Sequence, residues 1–207
     1  MALSVHAYAS GPLETNAYLV VDDDTNHALV IDAPPDVTPI LVAAIESAGV
    51  TVDQIVITHA HWDHIVDAAE LRDALGVPLV AHALTQDRLA PADDASQGSP
   101  FPITPVTPDG WLNEGDTVSL GAHTFAVLHL PGHDPAHIVL YSDPDKIILG
   151  GDVLFPGGHG TTEVAGADQA VMDQSLARLA ALPSDVTVYP GHGVSTTLGA
   201  EASWLKA

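Results

Sequence analysis

Four side chains that can bind metal ions lie within six residues of one another. They are His59, His61, Asp63 and His64, and they directly follow the short apolar run 54–57. Imidazole and carboxylate groups are common ligands of divalent metals in proteins. In a tight turn the first two histidines can face one metal while Asp63 and His64 face a second. A single metal would not need all four groups, so the spacing predicts a binuclear site.

Three later segments each place a metal-binding residue directly after an apolar run and a glycine. The residues are His133, Asp152 and His192. A glycine allows a sharp bend at the end of a strand and leaves room for a side chain in a crowded centre. Because α/β proteins build their sites at the carboxyl ends of strands, we expect these three residues to join the first four.

Periodicity predicts strands and helices in both halves of the chain. The elements predicted in the first half are a hairpin of strands 17–21 and 28–31, a helix over 37–48, a strand at 54–57, a helix over about 65–75 and a strand at 77–81. Those predicted in the second half are strands near 117–120, 124–129, 138–141, 146–149 and 187–189, and a helix over about 169–182 with Asp168 as its N-cap. Five prolines between positions 91 and 108 predict a non-repetitive connection between the halves.

These elements favour one α/β domain over residues 1–207, with two half-domains of about 1–106 and 107–207. Strands and helices in both halves fit a four-layer αββα sandwich, in which two sheets pack face to face with helices outside. Periodicity alone does not distinguish this arrangement from an open, doubly wound sheet.

The composition excludes several classes of function. The chain has no cysteine, so any metal must be held by histidine and carboxylate. Five Lys and Arg face 27 Asp and Glu, and the formal charge of −22 repels nucleic acids and anionic membranes. The N-terminus lacks the features of a signal peptide, and no apolar stretch is long enough to span a membrane. We therefore expect a cytoplasmic protein, of undetermined oligomeric state, that acts on a small molecule.

The order of the motifs resembles the metallo-β-lactamase superfamily. The shared motifs are H-x-H-x-D-H at 59–64, P-G-H at 131–133, G-D at 151–152 and a late P-G-H at 190–192. The stretch G-D-V-L-F at 151–155 is similar to a motif of the glyoxalase II-like branch. The resemblance implies the four-layer sandwich and seven metal ligands. His59, His61 and His133 would hold the first metal, Asp63, His64 and His192 the second, and Asp152 would bridge both.

The resemblance also implies a hydrolase. Two metals bridged by Asp152 would activate a shared water to attack a thioester or another small ester-like carbonyl, and Asp63 would orient the attacking oxygen or transfer its proton. Zinc suits the ligands best, although iron and manganese are compatible with them. The alternatives are a lactonase of the same fold and a persulfide dioxygenase, which uses a single iron held by two histidines and one carboxylate. Retention of the second ligand set favours the hydrolase, and the complete set of seven disfavours a non-catalytic module.

The chain departs from the usual motifs of this superfamily at two places. Val66 and Asp67 replace the glycines of D-H-x-G-G, and P-G-H-T-P-G-S reads P-G-H-D-P-A-H over 131–137. Only 15 residues follow His192, so we expect the C-terminal helical region that contacts glutathione in glyoxalase II to be missing. With few basic residues available for a carboxylate, the expected substrate is small or weakly charged.

Other polar residues are assigned lesser roles. His137 is expected to support the ligands from outside, and Asp32, which resembles an early aspartate of the family, to support the metal-binding loop. A contact between His159 and the substrate is left open. His123 is expected at the surface.

Overall fold

The structure is a computed structural model that describes residues 2–90 and 98–205 and contains two six-stranded mixed sheets. In spatial order, the strands of the first sheet are β1 (Leu3–Ser10), β2 (Thr15–Asp22), β3 (His27–Ile31), β4 (Thr51–Ile57), β5 (Leu79–Ala81) and β6 (Gly110–Trp111). Those of the second sheet are β7 (Thr117–Leu120), β8 (His123–His129), β9 (Ile138–Ser142), β10 (Ile147–Gly151), β11 (Thr187–Pro190) and β12 (Thr196–Thr197). The helices are α1 (Thr38–Ala48), α2 (Trp62–Ile65), α3 (Ala68–Leu75), α4 (Gln86–Leu89), α5 (Gln169–Ala180) and α6 (Leu198–Glu201), with a 3-10 turn at Ala83–Thr85.

Alternating side chains of the central strands fill two apolar layers at once. In β3, Ala28 and Val30 pack with residues of α1 and α3, whereas Leu29 and Ile31 pack with residues of the second sheet, such as the fully buried Phe125. This alternation follows from the period of two that a strand imposes on its side chains. A third apolar layer lies between the second sheet and α5 and includes Val139, Ile148, Met172, Leu176, Leu179 and Val188. Three apolar layers define the predicted αββα sandwich, so the open-sheet alternative does not apply.

Most predicted elements are present with ends shifted by a few residues. The Asp168 carboxylate accepts a hydrogen bond from the Val171 N–H (3.0 Å), which confirms Asp168 as the N-cap of α5. The sequence patterns missed β1, although all eight of its residues pair with β2 in antiparallel register. Within residues 2–90 and 98–205, no helix is long and apolar enough to cross a membrane.

The helix predicted over 65–75 is interrupted at Asp67, where α2 ends and α3 begins. The Asp67 carboxylate accepts hydrogen bonds from the N–H groups of Asp36 (3.2 Å) and Thr38 (2.9 Å) at the start of α1. Its own N–H donates to the carbonyl of Ala33 (3.0 Å). These contacts fix the segment after residues 59–64 against the end of β3, and the prediction of one continuous helix is wrong for that reason.

Two further expectations concern the proline-rich connection and His123. Residues 98–108 form no regular element, in agreement with the predicted proline-rich connection, and its first part, 91–97, lies outside the described residues. The surface position expected for His123 is wrong. Its side chain is buried at the start of β8, where its Nδ1 lies 2.9 Å from the carboxylate of Asp145.

Candidate metal centre

All seven predicted ligands lie together at one edge of the two sheets. The segment after β4, including the start of α2, supplies four of them, and the other three come from the β8–β9 loop, the end of β10 and the end of β11. In chain order they are His59, His61, Asp63, His64, His133, Asp152 and His192. This placement follows the expectation that sites form where strands end. Their roles as ligands stay predictions.

The first group consists of three histidines. Nε2 of His59 lies 3.2 Å from Nδ1 of His61, and one nitrogen of each ring, with one of His133, falls within a common span of 4.8 Å. Nε2 of His133 is 3.5 Å from Oδ2 of Asp152. Three nitrogens and one oxygen thus surround a volume that suits a single divalent ion.

The second group contains Asp63, His64 and His192. Oδ2 of Asp63 lies 3.5 Å from Nε2 of His64 and 3.3 Å from Nε2 of His192. Asp152 reaches this group as well, because its Oδ1 is 3.3 Å from Nε2 of His64 and its Oδ2 is 3.4 Å from Nε2 of His192. The carboxylate of Asp152 therefore lies between the two groups, where a bridging ligand must be.

Buried atoms without hydrogen-bond partners test whether the residues fit metal ions. Nε2 of His64, Nε2 of His133 and Oδ1 of Asp152 are all buried and make no hydrogen bond. Leaving such a group unsatisfied costs about 1–3 kcal/mol. All three atoms point into the two groups, so bound cations would satisfy them. The donor set fits two divalent ions.

Burial and neighbouring charges shift the pKa values of these residues. Burial lowers the pKa of His61 to about 4, which leaves its ring neutral and available as a ligand. Burial alone would raise the pKa of Asp63, but the hydrogen bond from His192 and the nearby His64 lower it to about 2. Burial opposes protonation of His192, but its contacts with Asp152 and Asp63 raise its pKa to about 9. Metal ions would displace this proton on binding.

Asp32 holds two of the ligands from behind. Its carboxylate lies 2.8 Å from Nδ1 of His64, which donates to it, and accepts hydrogen bonds from the N–H (2.7 Å) and Oγ1 (2.8 Å) of Thr58. The Thr58 hydroxyl in turn lies 3.1 Å from Nδ1 of His59. The backbone of Asp32 has a left-handed φ of 62°, which aspartate tolerates better than most residues. The expected supporting role of Asp32 agrees with these contacts.

Other supporting groups were missed at the sequence level. Oγ1 of Thr15 donates to Oδ2 of Asp63 (2.8 Å), and Nδ1 of His133 donates to the carbonyl of Thr161 (2.7 Å). Nδ1 of His192 donates to the carbonyl of Leu13 (3.0 Å). Hydroxyl and carbonyl groups so distant in sequence from their partners leave no recognisable spacing pattern.

His137 supports the backbone of Asp152. It is fully buried, stacks on His59 with ring centroids 4.8 Å apart, and its Nε2 accepts a hydrogen bond from the N–H of Asp152 (2.9 Å). Burial lowers the pKa of His137 to about 3, which keeps this nitrogen unprotonated and able to accept. His159 is placed elsewhere: its Nδ1 lies 2.8 Å from the carbonyl of Gly160, and it does not line the cavity over the ligands.

Two glycines before ligands are required by close packing. Gly151 has a φ of 47°, and a Cβ there would lie 2.7 Å from both Nε2 of His137 and Oγ1 of Thr58. A Cβ on Gly191 would lie 2.1 Å from Oδ1 of Asp152. All three contacts are too short for a Cβ atom, as predicted for glycines beside a crowded centre.

A cavity of about 550 Å³ opens over the ligands. Its floor contains His61, Asp63, His133, Asp152 and His192, and its walls include Leu13, Trp62, Phe155, Val164 and Ala165. The volume lies within the range of small-molecule sites, roughly 300–1,000 Å³. A substrate in this cavity would contact apolar side chains on one side and the ligands on the other.

Two sheets packed face to face, with two clusters of histidine and aspartate side chains at their edge, define a protein of the αββα class with a candidate binuclear metal site. The chain belongs to the metallo-beta-lactamase superfamily, whose family model matches residues 10–192. The hydroxyacylglutathione hydrolase GloC of Haemophilus influenzae is 33% identical over 193 residues, which cover 91% of this chain and 90% of GloC.

Two solved structures are similar over 98% of both chains. One is the BLEG-1 B3 metallo-beta-lactamase, with a TM-score of 0.89 and 31% identity. The other is TTHA1623 in a di-iron-bound form, with a TM-score of 0.84 and 37% identity. The superfamily and the names of the relatives support a metal-dependent hydrolase.

Removal of metal is expected to destabilise the protein. The ions would bind side chains that lie close together only in the folded chain, so their binding favours the folded state. A metal present at about 1,000 times its Kd stabilises the folded state by about 4 kcal/mol. Thermal unfolding after exhaustive chelation should therefore show a lower Tm, restored by adding Zn²⁺. An unchanged Tm, with metal analysis showing that the ions are gone, would contradict the proposed centre.

Asp152→Ala should reduce activity more than His137→Ala. The first change removes a predicted ligand placed between both groups, whereas the second removes the acceptor for the Asp152 N–H and a ring stacked on His59. Outer-shell changes of this kind typically cost about 10–100-fold in metal affinity or activity, so excess metal should partly restore His137→Ala and not Asp152→Ala. Equal loss of activity in the two variants, at unchanged metal content, would show that these roles are assigned wrongly.

Proposed function

We propose that this protein is a binuclear metal-dependent hydrolase that cleaves a thioester or another small ester-like carbonyl. The observation that carries the proposal is the position of Asp152, whose carboxylate lies between two complete ligand groups at the floor of an open cavity. Two bound ions would supply an activated water and a Lewis acid for the carbonyl. Zinc is the proposed metal, and iron is the alternative suggested by the di-iron form of TTHA1623.

The chain's own residues would orient the reaction. Asp63 lies at the floor of the cavity with the other predicted ligands, and its Oδ2 is held by the hydroxyl of Thr15 and by Nε2 of His192. A carboxylate fixed in this way can orient the attacking oxygen or accept its proton. Trp62 and Phe155 would keep bulk water from the reacting carbonyl, because both contribute apolar surface to the cavity.

Thioesters are favoured over other carbonyl substrates by two observations. The name of GloC denotes hydrolysis of a hydroxyacylglutathione, which is a thioester. The motif that resembles the glyoxalase II-like branch, G-D-V-L-F, contributes both Asp152 and Phe155 to the cavity. A lactonase is the second candidate within the same chemistry, and the resemblance to BLEG-1 adds β-lactams to the substrates that need testing.

A mononuclear persulfide dioxygenase is disfavoured by the second ligand group. Asp63, His64 and His192 converge as closely as the first group does. An enzyme with one iron, held by two histidines and one carboxylate, would not need them. The number of metal ions per chain in the active protein separates the two reactions.

Charge around the cavity argues against glutathione as the preferred carrier. None of the described residues that line it is Lys or Arg. Four of the five basic residues are paired with carboxylates elsewhere: Arg72 with Asp109, Arg88 with Asp134, Lys146 with Asp143 and Arg178 with Glu114. Residues 91–97 contain no basic residue either. Chain length gives no such argument, because GloC is matched over 90% of its length.

We therefore expect neutral short-chain thioesters to be cleaved with a higher kcat/KM than S-lactoylglutathione, and DNA and RNA to remain intact. A net charge of −22 repels the glutathione carboxylates, so added salt should lower the KM for S-lactoylglutathione and leave that for neutral thioesters unchanged. The measurement is a panel of thioesters, lactones, β-lactams and phosphodiesters with metal content determined on the same sample.

A pair of variants isolates the effect of local charge. Val164→Lys adds a cation to the cavity wall and should lower the KM for S-lactoylglutathione, whereas Ile40→Lys adds the same charge at an equally exposed position on α1 and should not. Efficient turnover of S-lactoylglutathione at micromolar KM by the unmodified protein would overturn the charge argument alone. Lactone or β-lactam hydrolysis faster than that of every thioester would overturn the proposed substrate class.

A further inference from the structure

The histidine ligands are held by acceptors at their outer nitrogens, and His61 differs from the other four. His59, His64, His133 and His192 each point Nε2 toward the ligand groups, and the outward Nδ1 of each lies 2.7–3.1 Å from an oxygen atom. His61 instead points Nδ1 inward, 3.2 Å from Nε2 of His59. The outward nitrogen of His61 is therefore Nε2.

The carboxylate of Asp134 lies beside this outward nitrogen. Oδ2 of Asp134 lies 3.7 Å from Nε2 of His61, slightly beyond hydrogen-bond distance. Asp134 is fully buried and is held by two groups. Nη2 of Arg88 donates to Oδ1 (2.7 Å) and Nη1 to Oδ2, and the N–H of Ala136 also donates to Oδ1 (2.7 Å). The carboxylate is fixed in place behind His61.

We propose that Asp134 is a positioning residue for His61 and strengthens binding of the first metal, with Arg88 holding Asp134 in the required orientation. The inference rests on the proposed metal centre. When Nδ1 of His61 binds a metal, its Nε2 carries the proton and needs an acceptor. A small rotation of the ring closes the distance to Asp134, whose negative charge makes the imidazole a stronger ligand.

Asp134 stands at one of the positions where this chain departs from the family motif. The usual P-G-H-T-P-G-S has a neutral threonine where this chain has Asp134. With Asp134 in place, each ligand group contains one histidine backed by a carboxylate: His64 by Asp32 and His61 by Asp134. A buried carboxylate is costly unless it is paired, and Arg88 on α4 supplies the pairing without entering the cavity.

Metal titration of the full chain tests the inference without relying on activity. Protein stripped by chelation is titrated with Zn²⁺ against a competing chelator, and His61→Ala and His192→Ala mark which affinity belongs to each group. Asp134→Asn should weaken the first metal by about 10–100-fold and leave the second unchanged. Asp134→Thr, which restores the residue usual in the family, should have the same effect and serves if the asparagine variant does not fold.

A double-mutant cycle separates positioning from a structural role. In the His61→Ala background, Asp134→Asn should cause no further change in metal affinity, because its effect acts through that ring. Asp109→Asn is the matched control, since it removes a similar two-bond pair with Arg72 (2.9 and 2.7 Å) at the surface and should leave both affinities unchanged. Equal weakening of both metals by Asp134→Asn, or no weakening of either, would overturn the inference.

The same titration distinguishes an error in the proposed metal centre from an error in the role of Asp134. Fewer than two Zn²⁺ ions bound by the unmodified protein would refute the proposed binuclear centre, and the inference with it. Two ions bound by the unmodified protein, with affinities insensitive to Asp134→Asn and Asp134→Thr, would refute the inference and leave the proposed function intact.

Discussion

The negative charges of Asp63 and Asp152 require nearby positive charge and hydrogen bonds, and the rest of the site is arranged around this requirement. Each residue is only 6% exposed, and a buried charge is costly unless opposite charge and hydrogen bonds compensate for it. The imidazoles of His64 and His192 approach both carboxylates. Divalent cations would satisfy the carboxylates and the unpaired imidazole nitrogens together, so bound metals would stabilise the fold as well as supply the proposed chemistry.

The packing of the two sheets brings the seven predicted ligands together. The first sheet supplies the turn after β4, and the second supplies the ligands that follow β8, β10 and β11. Backbone hydrogen bonds join the sheets at this edge, from the N–H of Ile138 to the carbonyl of Thr58 (2.9 Å) and from the N–H of Asn16 to the carbonyl of Gly191 (2.7 Å). The positions of the residues from the second sheet relative to the turn after β4 therefore depend on how the two sheets pack.

The sequence predicts features that depend on local order and misses those that depend on packing. The spacing of His59 to His64 and the rule that sites lie at strand ends are local, and the structure places the seven residues together as both predict. The break at Asp67 depends on the start of α1, about thirty residues earlier in the chain, and the pairing of Arg88 with Asp134 spans 46 positions. Burial of His123 likewise depends on a neighbouring hairpin. No periodicity encodes such contacts.

Asp32 combines two demands that few side chains meet together. Its left-handed backbone favours glycine, asparagine and aspartate, whereas Thr58 and His64 need a carboxylate. Glycine would relieve the backbone and lose every acceptor, glutamate would keep the charge on a backbone it tolerates poorly, and asparagine would present an amide where an anion is needed. In an evolving population this position should therefore be close to invariant, and a substitution there would survive only alongside compensating changes in the turn that it supports.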